Sequence, residues 1–591
     1  MKSHSTGRQV NPNSKKALAH TAAAPGHTPF PEHDAVRGRW RLVAPALAGI
    51  VASILLFWGL GEKYLWQDEA NTAVLATRIL RFGRPLAYDG VNLLTIDHFV
   101  GEDVVNIEKR TADPNLSVRY YVDHGAYKAD TAWTFHPWGQ FFVAAASFKI
   151  LGQTTLAARL PFALAGLATI LLLYRLVRAH CRSDSMAWIA AVLLIGNSYW
   201  ILHSRQCRYY SLSSLFLILT LTAYMRWQSG ARWGATTFVV CAWAWFQVDY
   251  GTVWPVFGVL SLDACWTNRR NPWRTLCAGV VLGAMIAPFT VFYHLTGRAS
   301  VQGGGSSRDP NYRYWFSVLN MNEYVVPLLV VTAAAALLVW RWKTISAAER
   351  RLMAIASGII CALSLWVPTI TSDAYLRYII MAAPIGSLLS AWLLVRGCNG
   401  RTAYAWVGAA VLILTPWLRM PLQVLNPPAS WYVINKTATN WMYKGELVRL
   451  LTEVFNPPPD PNRMVVEWLR QNTQPTDEIL VNYEDTPLMF YLPNPIRGGI
   501  EAFRVEDDAK KPPDILVIRR SVAFVHWNIF AREINRYRWS VAPVGAPDVV
   551  WGNNPDPMGD AQEFASANRI IVARRTESGT TRGVVFGNAQ E

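Results

Sequence analysis

"EKYLWQDEANTAVLATRILRFG", residues 62–83, follows an apolar run of about a membrane's thickness and carries two adjacent carboxylates, Asp68 and Glu69. The run before it, at about 42–61, reads as a first membrane span. Within the stretch, "EANTAVLATRIL" has helical spacing, and Val74, Leu75, Ile79 and Leu80 form an apolar face suited to lying on a lipid surface. Such a helix would hold a carboxylate at the level of the lipid head groups. Asp68 also has a simpler reading as the cap of this helix, whose N-terminus favours acidic residues.

The rest of the chain supports a membrane setting. Of 591 residues, 52% are hydrophobic and only 16% charged, against about 25% charged in soluble domains. The 27 Trp fit aromatic belts at the membrane–water interfaces. The net charge of +16 raises the question of nucleic acid, and its location answers it. From residue 420 onward, 18 basic residues stand against 20 acidic ones, a net of −2, so the surplus lies in short loops between apolar runs. The seven Cys lie in or beside apolar segments without C-x-x-C spacing, which excludes a zinc finger or a disulfide scaffold in the polar regions. The first apolar run lacks a small-residue cleavage site, so it is expected to remain as an anchor.

Residues 1–41 read as a disordered basic cytoplasmic tail, and 62–135 as a long outer loop. "HPWGQFFVAAASFKILG", 136–152, is short for a span and contains Lys149, and so reads as an interfacial helix. Ten further spans are expected at about 157–174, 186–202, 209–225, 233–248, 250–266, 275–293, 324–340, 352–370, 378–395 and 402–418, making eleven crossings. With the N-terminus inside, the clusters Arg175/Arg178/Arg182, Arg226/Arg232, Arg269/Arg270/Arg274, Arg341/Lys343/Arg350/Arg351 and Arg396/Arg401 all fall on inner loops. The fold class expected is therefore an all-α polytopic membrane protein of about 11 transmembrane helices, 42–420, followed by a soluble α/β domain outside the membrane, 421–591. In that domain "NRMVVEWLRQN" reads as a helix, and "DEILVNY", "PPDILVIRR" and "NRIIVARR" as strands. It has no Gly-rich phosphate loop and no D-x-D pair.

Three arginines run against the topological charge bias. Arg205 and Arg208 lie in the outer turn "HSRQCRYY", and Arg377 begins an outer edge in "SDAYLRY". Arginine at an interface often snorkels, but three placed this way point to an anion, which guanidinium groups bind in bidentate fashion. The outer loop adds Glu102, Asp103, Asp123, His124 and, in "TFHPW", His136. These are side chains of the kind that bind a divalent cation, or members of a solvated loop.

Four blocks carry a family resemblance: "WQDEA", "HPWGQFFVAAASFKILGQTTLAARLPFALAGLATILLLYRLVR" (136–178), "SRQCRYYSLSSLFLILTLTAYMRW" (204–227) and "YLRYIIMAAPIGSLLSAWLL" (375–394). In this order they resemble the GT-C membrane glycosyltransferases, in particular the protein O-mannosyltransferase and aminoarabinose-transferase group, over about residues 42–420. The resemblance implies a polyprenyl-phosphate-linked sugar as donor, chemistry on the extracytoplasmic face of the inner membrane, and an inverting transfer. It also implies a catalytic role for Asp68, supported by Glu69, and lipid-phosphate binding by Arg205, Arg208 and Arg377 with Tyr209 and Tyr378. Where related transferases have a second acidic residue, this chain has Tyr209, Tyr210 and Ser211. A lipid-linked glycan polymerase or ligase would share the fold logic with a diphosphate-linked donor. A transporter or flippase would instead show internal repeats and charges at mid-span, and the sequence shows neither.

Overall fold

The computed structural model describes residues 40–92, 94, 132–269, 272–293, 295, 310–370, 376–419, 421, 445–498, 512–520, 535, 537–549, 568–576 and 581–582. Residues 1–39 of the expected tail and 95–131 of the expected loop, with Glu102, Asp103, Asp123 and His124, lie outside them. The chain divides into Met1–Pro45 and Ala46–Glu591, and the second unit contains everything that follows.

Helices stand at all eleven expected span positions. Thr155–Cys181, Trp273–Phe292, Ala347–Ile370 and Ile380–Gly397 are long and apolar enough to cross a membrane. Two more candidates are bent pairs, Asp184–Ile195 with Ser198–Ser204 at 70° and Arg313–Val325 with Leu328–Trp340 at 83°. By length and composition the described residues thus hold four full-length spans, or six with each bent pair taken as one. The other apolar helices, such as Ala46–Phe57, Gly234–Phe246 and Thr402–Leu414, are shorter. This is a multi-pass membrane architecture.

The two bends have identifiable causes. At Gly196–Asn197 the Asn197 side chain accepts from the Trp200 N–H at 3.0 Å and so starts a new helix. At the second bend, Met321–Val325 widens into a π-turn, and Pro327 breaks the run. Asn322 Oδ1 there accepts from the Leu328 N–H at 2.9 Å. The breaks meet: Asn197 Nδ2 donates to the Tyr324 carbonyl at 2.9 Å, and the rings of Tyr199 and Tyr324 pack edge to face at 4.4 Å. Backbone groups freed by bending inside a membrane are thereby satisfied within the protein.

Among the described residues, the polar C-terminal region builds a six-stranded sheet. Its strands are β1 (Ile479–Val481), β2 (Ile496–Gly498), β3 (Ile515–Ile518), β4 (Arg538–Ala542), β5 (Ile571–Arg575) and β6 (Thr581–Arg582), in the order β2-β1-β3-β5-β4-β6. β1 pairs in parallel with β2 and β3, and the remaining pairings are antiparallel. β1 and β3 are wholly buried, as their apolar runs imply, and pack with Val465, Val466 and Leu469 of the helix Pro461–Asn472. Asp460 caps that helix, accepting from the N–H groups of Asn462 and Arg463. Just beyond β1 and β3 lies a buried ion cluster. Arg519 Nη1 is 2.9 Å from Glu484 Oε1, and its Nε donates to Asp548 Oδ1 at 3.2 Å.

The helix Gln67–Phe82 departs from expectation. Val74, Leu75 and Ile79 are buried in protein and only Leu80 is exposed, because Gly139–Leu151 and the short helix Asp485–Tyr491 pack over it. Neither partner is visible in the local periodicity of 62–83.

Candidate active site

Trp66 precedes the helix Gln67–Phe82 and makes no side-chain cap, and Asp68 in the first turn does not act as one. The Asp68 carboxylate instead turns across the chain. Its Oδ2 accepts from Arg377 Nη1 at 2.5 Å and lies 3.5 Å from Arg208 Nη2. The Asp68 side chain is 19% exposed, so it stays reachable while paired.

The two arginines arrive from different elements. Arg208 belongs to the turn between the broken span and Tyr210–Gln228, is buried, and also donates to Thr72 Oγ1 at 3.3 Å. Arg377 sits in the 3₁₀ turn Leu376–Tyr378 ahead of the next long helix. Tyr209 and Tyr378 lie against their guanidinium groups, with ring centroids at 5.8 and 5.2 Å, and Arg377 Nη2 donates to the Tyr378 hydroxyl at 3.4 Å. Two guanidinium groups thus converge on one partly exposed carboxylate.

Glu69 is placed differently from its neighbour. It is fully buried, and Arg159 grips it with two parallel bonds, Nε to Oε1 at 2.8 Å and Nη2 to Oε2 at 2.7 Å. The Cys207 N–H adds a third bond to Oε1 at 2.7 Å. Arg159 also donates to the carbonyls of Leu60, Lys63 and Tyr64, at 3.0, 2.8 and 3.1 Å. The Glu69–Arg159 pair therefore fixes the exit of the first helix, the turn before Arg208 and the start of the helix Thr155–Cys181 against one another. Sequence reasoning passed over Arg159 because it stands at the edge of an expected span, although a charge in such a segment is itself a functional signal.

Arg205 does not join Asp68. Its Nη1 and Nη2 donate to the carbonyls of Leu55 and Trp58 at 2.7 Å each, satisfying the C-terminal end of the first helix. Arg205 also lines a solvent-connected cavity beside Glu69, together with Trp66, Arg159, His203 and Asp460. His203 is buried, with Nδ1 against the Tyr199 carbonyl at 2.8 Å.

His136 is set among aromatic rings, T-shaped to Phe135 at 4.8 Å and 6.1 Å from Trp133. Among the described residues no group of three His, Cys, Asp or Glu side chains converges to hold a metal ion. Among the described residues His136 belongs to no such group, and Asp123 and His124 lie outside them.

The fold of this chain is shared with solved structures. Among solved structures, ArnT from Cupriavidus metallidurans bound to undecaprenyl phosphate aligns with a TM-score of 0.52 at 14% identity, covering 91% of this chain and 98% of that one. The same protein in the apo state aligns with a TM-score of 0.52 at 13% identity, over 90% and 97%. No protein-family model and no curated protein matches the chain by sequence.

Proposed function

We propose that this chain is an integral membrane glycosyltransferase that moves a sugar from an undecaprenyl-type polyprenyl phosphate to an acceptor hydroxyl on the extracytoplasmic face of the inner membrane. The observation that carries this reading is the convergence of Arg208 and Arg377, from two separate membrane elements, on the partly exposed carboxylate of Asp68. The ArnT structure that aligns with it over nearly its whole length is described as bound to undecaprenyl phosphate.

A sugar on a lipid phosphate already has a good leaving group. The enzyme needs a base for the acceptor and cations for the departing phosphate. Asp68 Oδ takes the acceptor proton, the acceptor oxygen bonds to the anomeric carbon, and the bond from that carbon to the phosphate oxygen breaks. The electron pair leaves with the lipid phosphate, whose growing negative charge Arg208 and Arg377 meet, with Tyr209 and Tyr378 backing the guanidinium planes. A single displacement of this kind inverts the anomeric centre. Glu69 supports the reaction by holding the elements that carry Asp68 and Arg208.

The test has two parts. Mass spectrometry of lipids from a deletion strain should show one undecaprenyl-phosphate-linked sugar accumulating; accumulation of a diphosphate-linked glycan would favour a polymerase or ligase instead. Purified protein in nanodiscs should bind undecaprenyl phosphate, and Arg208→Ala and Arg377→Ala should weaken that binding by about ten- to a hundredfold, the range for a lost hydrogen bond to a charged group. Unchanged binding in both variants would remove the phosphate site.

A further inference from the structure

Residues Tyr64–Gln67 connect the end of the first helix to Asp68, and their polar groups are tied to residues about four hundred positions away in sequence. The Tyr64 N–H donates to Asp460 Oδ2 at 2.6 Å, and the Leu65 N–H to the Tyr491 hydroxyl at 3.0 Å. The Leu65 carbonyl accepts from Asn462 Nδ2 at 3.2 Å, and the Gln67 carbonyl from the Thr486 hydroxyl at 2.6 Å. The buried Gln67 side chain completes the set: Nε2 donates to Asp485 Oδ1 at 2.7 Å, and Oε1 accepts from the Thr486 N–H at 3.4 Å. The Tyr64 and Tyr491 rings stack at 4.0 Å, and the Tyr491 hydroxyl shares a 2.7 Å hydrogen bond with Thr155.

This dense attachment coincides with a helix start that has no cap of its own. Trp66 offers no side-chain acceptor, so the first-turn N–H groups ahead of Asp68 have no side-chain cap from the residue that starts the helix. The connection between β1 and β2, together with Asp460 and Asn462 at the start of the helix Pro461–Asn472, supplies the fixing groups from outside. Its Tyr483 also lies within electrostatic reach of Asp68 and Arg377.

We propose that Gln67, Asp485 and Thr486 are positioning residues that set the Asp68 carboxylate against the acceptor, which makes the C-terminal sheet region a working part of the active site. This rests on the transferase reading above. A general base displaced by about 1 Å loses on the order of a hundredfold in turnover, whereas binding of the lipid phosphate by Arg208 and Arg377 needs no contact from Gln67.

The experiment uses the full-length protein in nanodiscs and compares Asp485→Leu, Asp485→Asn, Gln67→Glu and the double swap Gln67→Glu/Asp485→Asn. Three readouts are taken: amide hydrogen exchange across residues 62–75, binding of undecaprenyl phosphate, and turnover of the lipid-linked sugar identified in the deletion strain. Asp485→Leu removes the acceptor, and Gln67→Glu sets two carboxylates against each other. Both should speed exchange at 64–70 by about tenfold or more and lower kcat on the order of a hundredfold, with undecaprenyl phosphate binding nearly unchanged. Asp485→Asn keeps an acceptor and the swap restores the pair with reversed polarity, so both should stay near wild type. Undiminished kcat in Asp485→Leu would overturn the proposal. So would a parallel loss of binding and turnover with faster exchange throughout Thr155–Cys181, the mark of a merely structural contact, or failure of the swap to restore kcat. Failure of the wild type to bind undecaprenyl phosphate would overturn the functional reading instead, and the exchange data would still decide whether the clamp exists.

Discussion

Asp68 and Glu69 are neighbours in sequence, and their surroundings give them opposite expected behaviour. Asp68→Asn keeps the shape of a partly exposed group while removing the base and the charge that faces Arg377 and Arg208, so turnover should fall on the order of a hundredfold or more, a larger effect than any shift in thermal unfolding. Glu69→Ala strands the largely buried Arg159 guanidinium, whose side chain is 12% exposed, and should cost about 3–5 kcal/mol of stability, read by thermal unfolding in detergent. Near-normal turnover in Asp68→Asn would leave the carboxylate as a plain ion-pair partner of Arg377. At Arg377, Lys cannot reproduce the planar fork, so Arg377→Lys should impair turnover nearly as much as Arg377→Ala. A pH effect arises at Glu484, where burial, only partly offset by Arg519, pushes the carboxyl up to about 6 from its ordinary 4.5. A raised carboxyl contributes stability that is full below about 4.5 and lost as pH rises through about 6, amounting to about 2 kcal/mol at 1.36 kcal/mol per unit. The unfolding temperature of wild type relative to Glu484→Gln should therefore drop between pH 4.5 and 7, and a flat difference would contradict the assignment. At this scale the sequence was most informative where a residue broke a rule. Arg208 and Arg377 stood out as cations on an outer edge, whereas Gln67 and Asp485 broke none and their pairing was invisible.

Apolar runs located the helices well, because burial in lipid or protein leaves a compositional mark on every residue of a span. Bends leave almost none. Gly196–Asn197 lies inside a run that reads as one straight span, and the break there is set by the Asn197 cap on the Trp200 N–H and braced by the Tyr324 carbonyl from another segment. Asn197→Ala leaves that carbonyl and the Trp200 N–H without their side-chain partner and should cost about 1–3 kcal/mol, again measured by thermal unfolding. The helix Gly139–Leu151 depends on a close approach. The Gly139 N–H donates to the Gln247 carbonyl at 2.8 Å, and a Cβ at Gly139 would stand 2.5 Å from that oxygen. Gly139→Ala should therefore destabilise by about 1–3 kcal/mol, and an unshifted unfolding temperature would show that the helix can slide away. Three strands of the sheet were legible because β1, β3 and β5 lie in apolar runs bounded by turn residues. β2, β4 and β6 were not, since "IRG", "RWSVA" and "TR" have no such run and are held mainly by their neighbours.

Across the whole molecule, the sheet region and the first-loop helix must share one side of the membrane, because hydrogen bonds join them directly. On a Cys-free background, single Cys residues at exposed positions in 85–91 and 460–575 should label from outside the cell, and those in 267–269 should be protected; labelling of the two outer sets from opposite sides would contradict the fold. That union was out of reach of the sequence, which separated 42–420 from 421–591 on composition, since composition cannot register a bond between residues 67 and 485. The paired bends have a further consequence for how the chain is made. Asn197 leaves the ribosome 127 residues before its partner Tyr324, and at about 5–20 residues per second the interval is about 6 to 25 s. Throughout that time the first bent segment has already been delivered to the insertion machinery with its cross-brace still unsynthesised. Until the second bent segment arrives, the bend at Gly196–Asn197 has only its local cap, Asn197 on the Trp200 N–H, to hold it. The brace between the two bends is thus a late event in biogenesis, which a nascent chain arrested before residue 310 would lack.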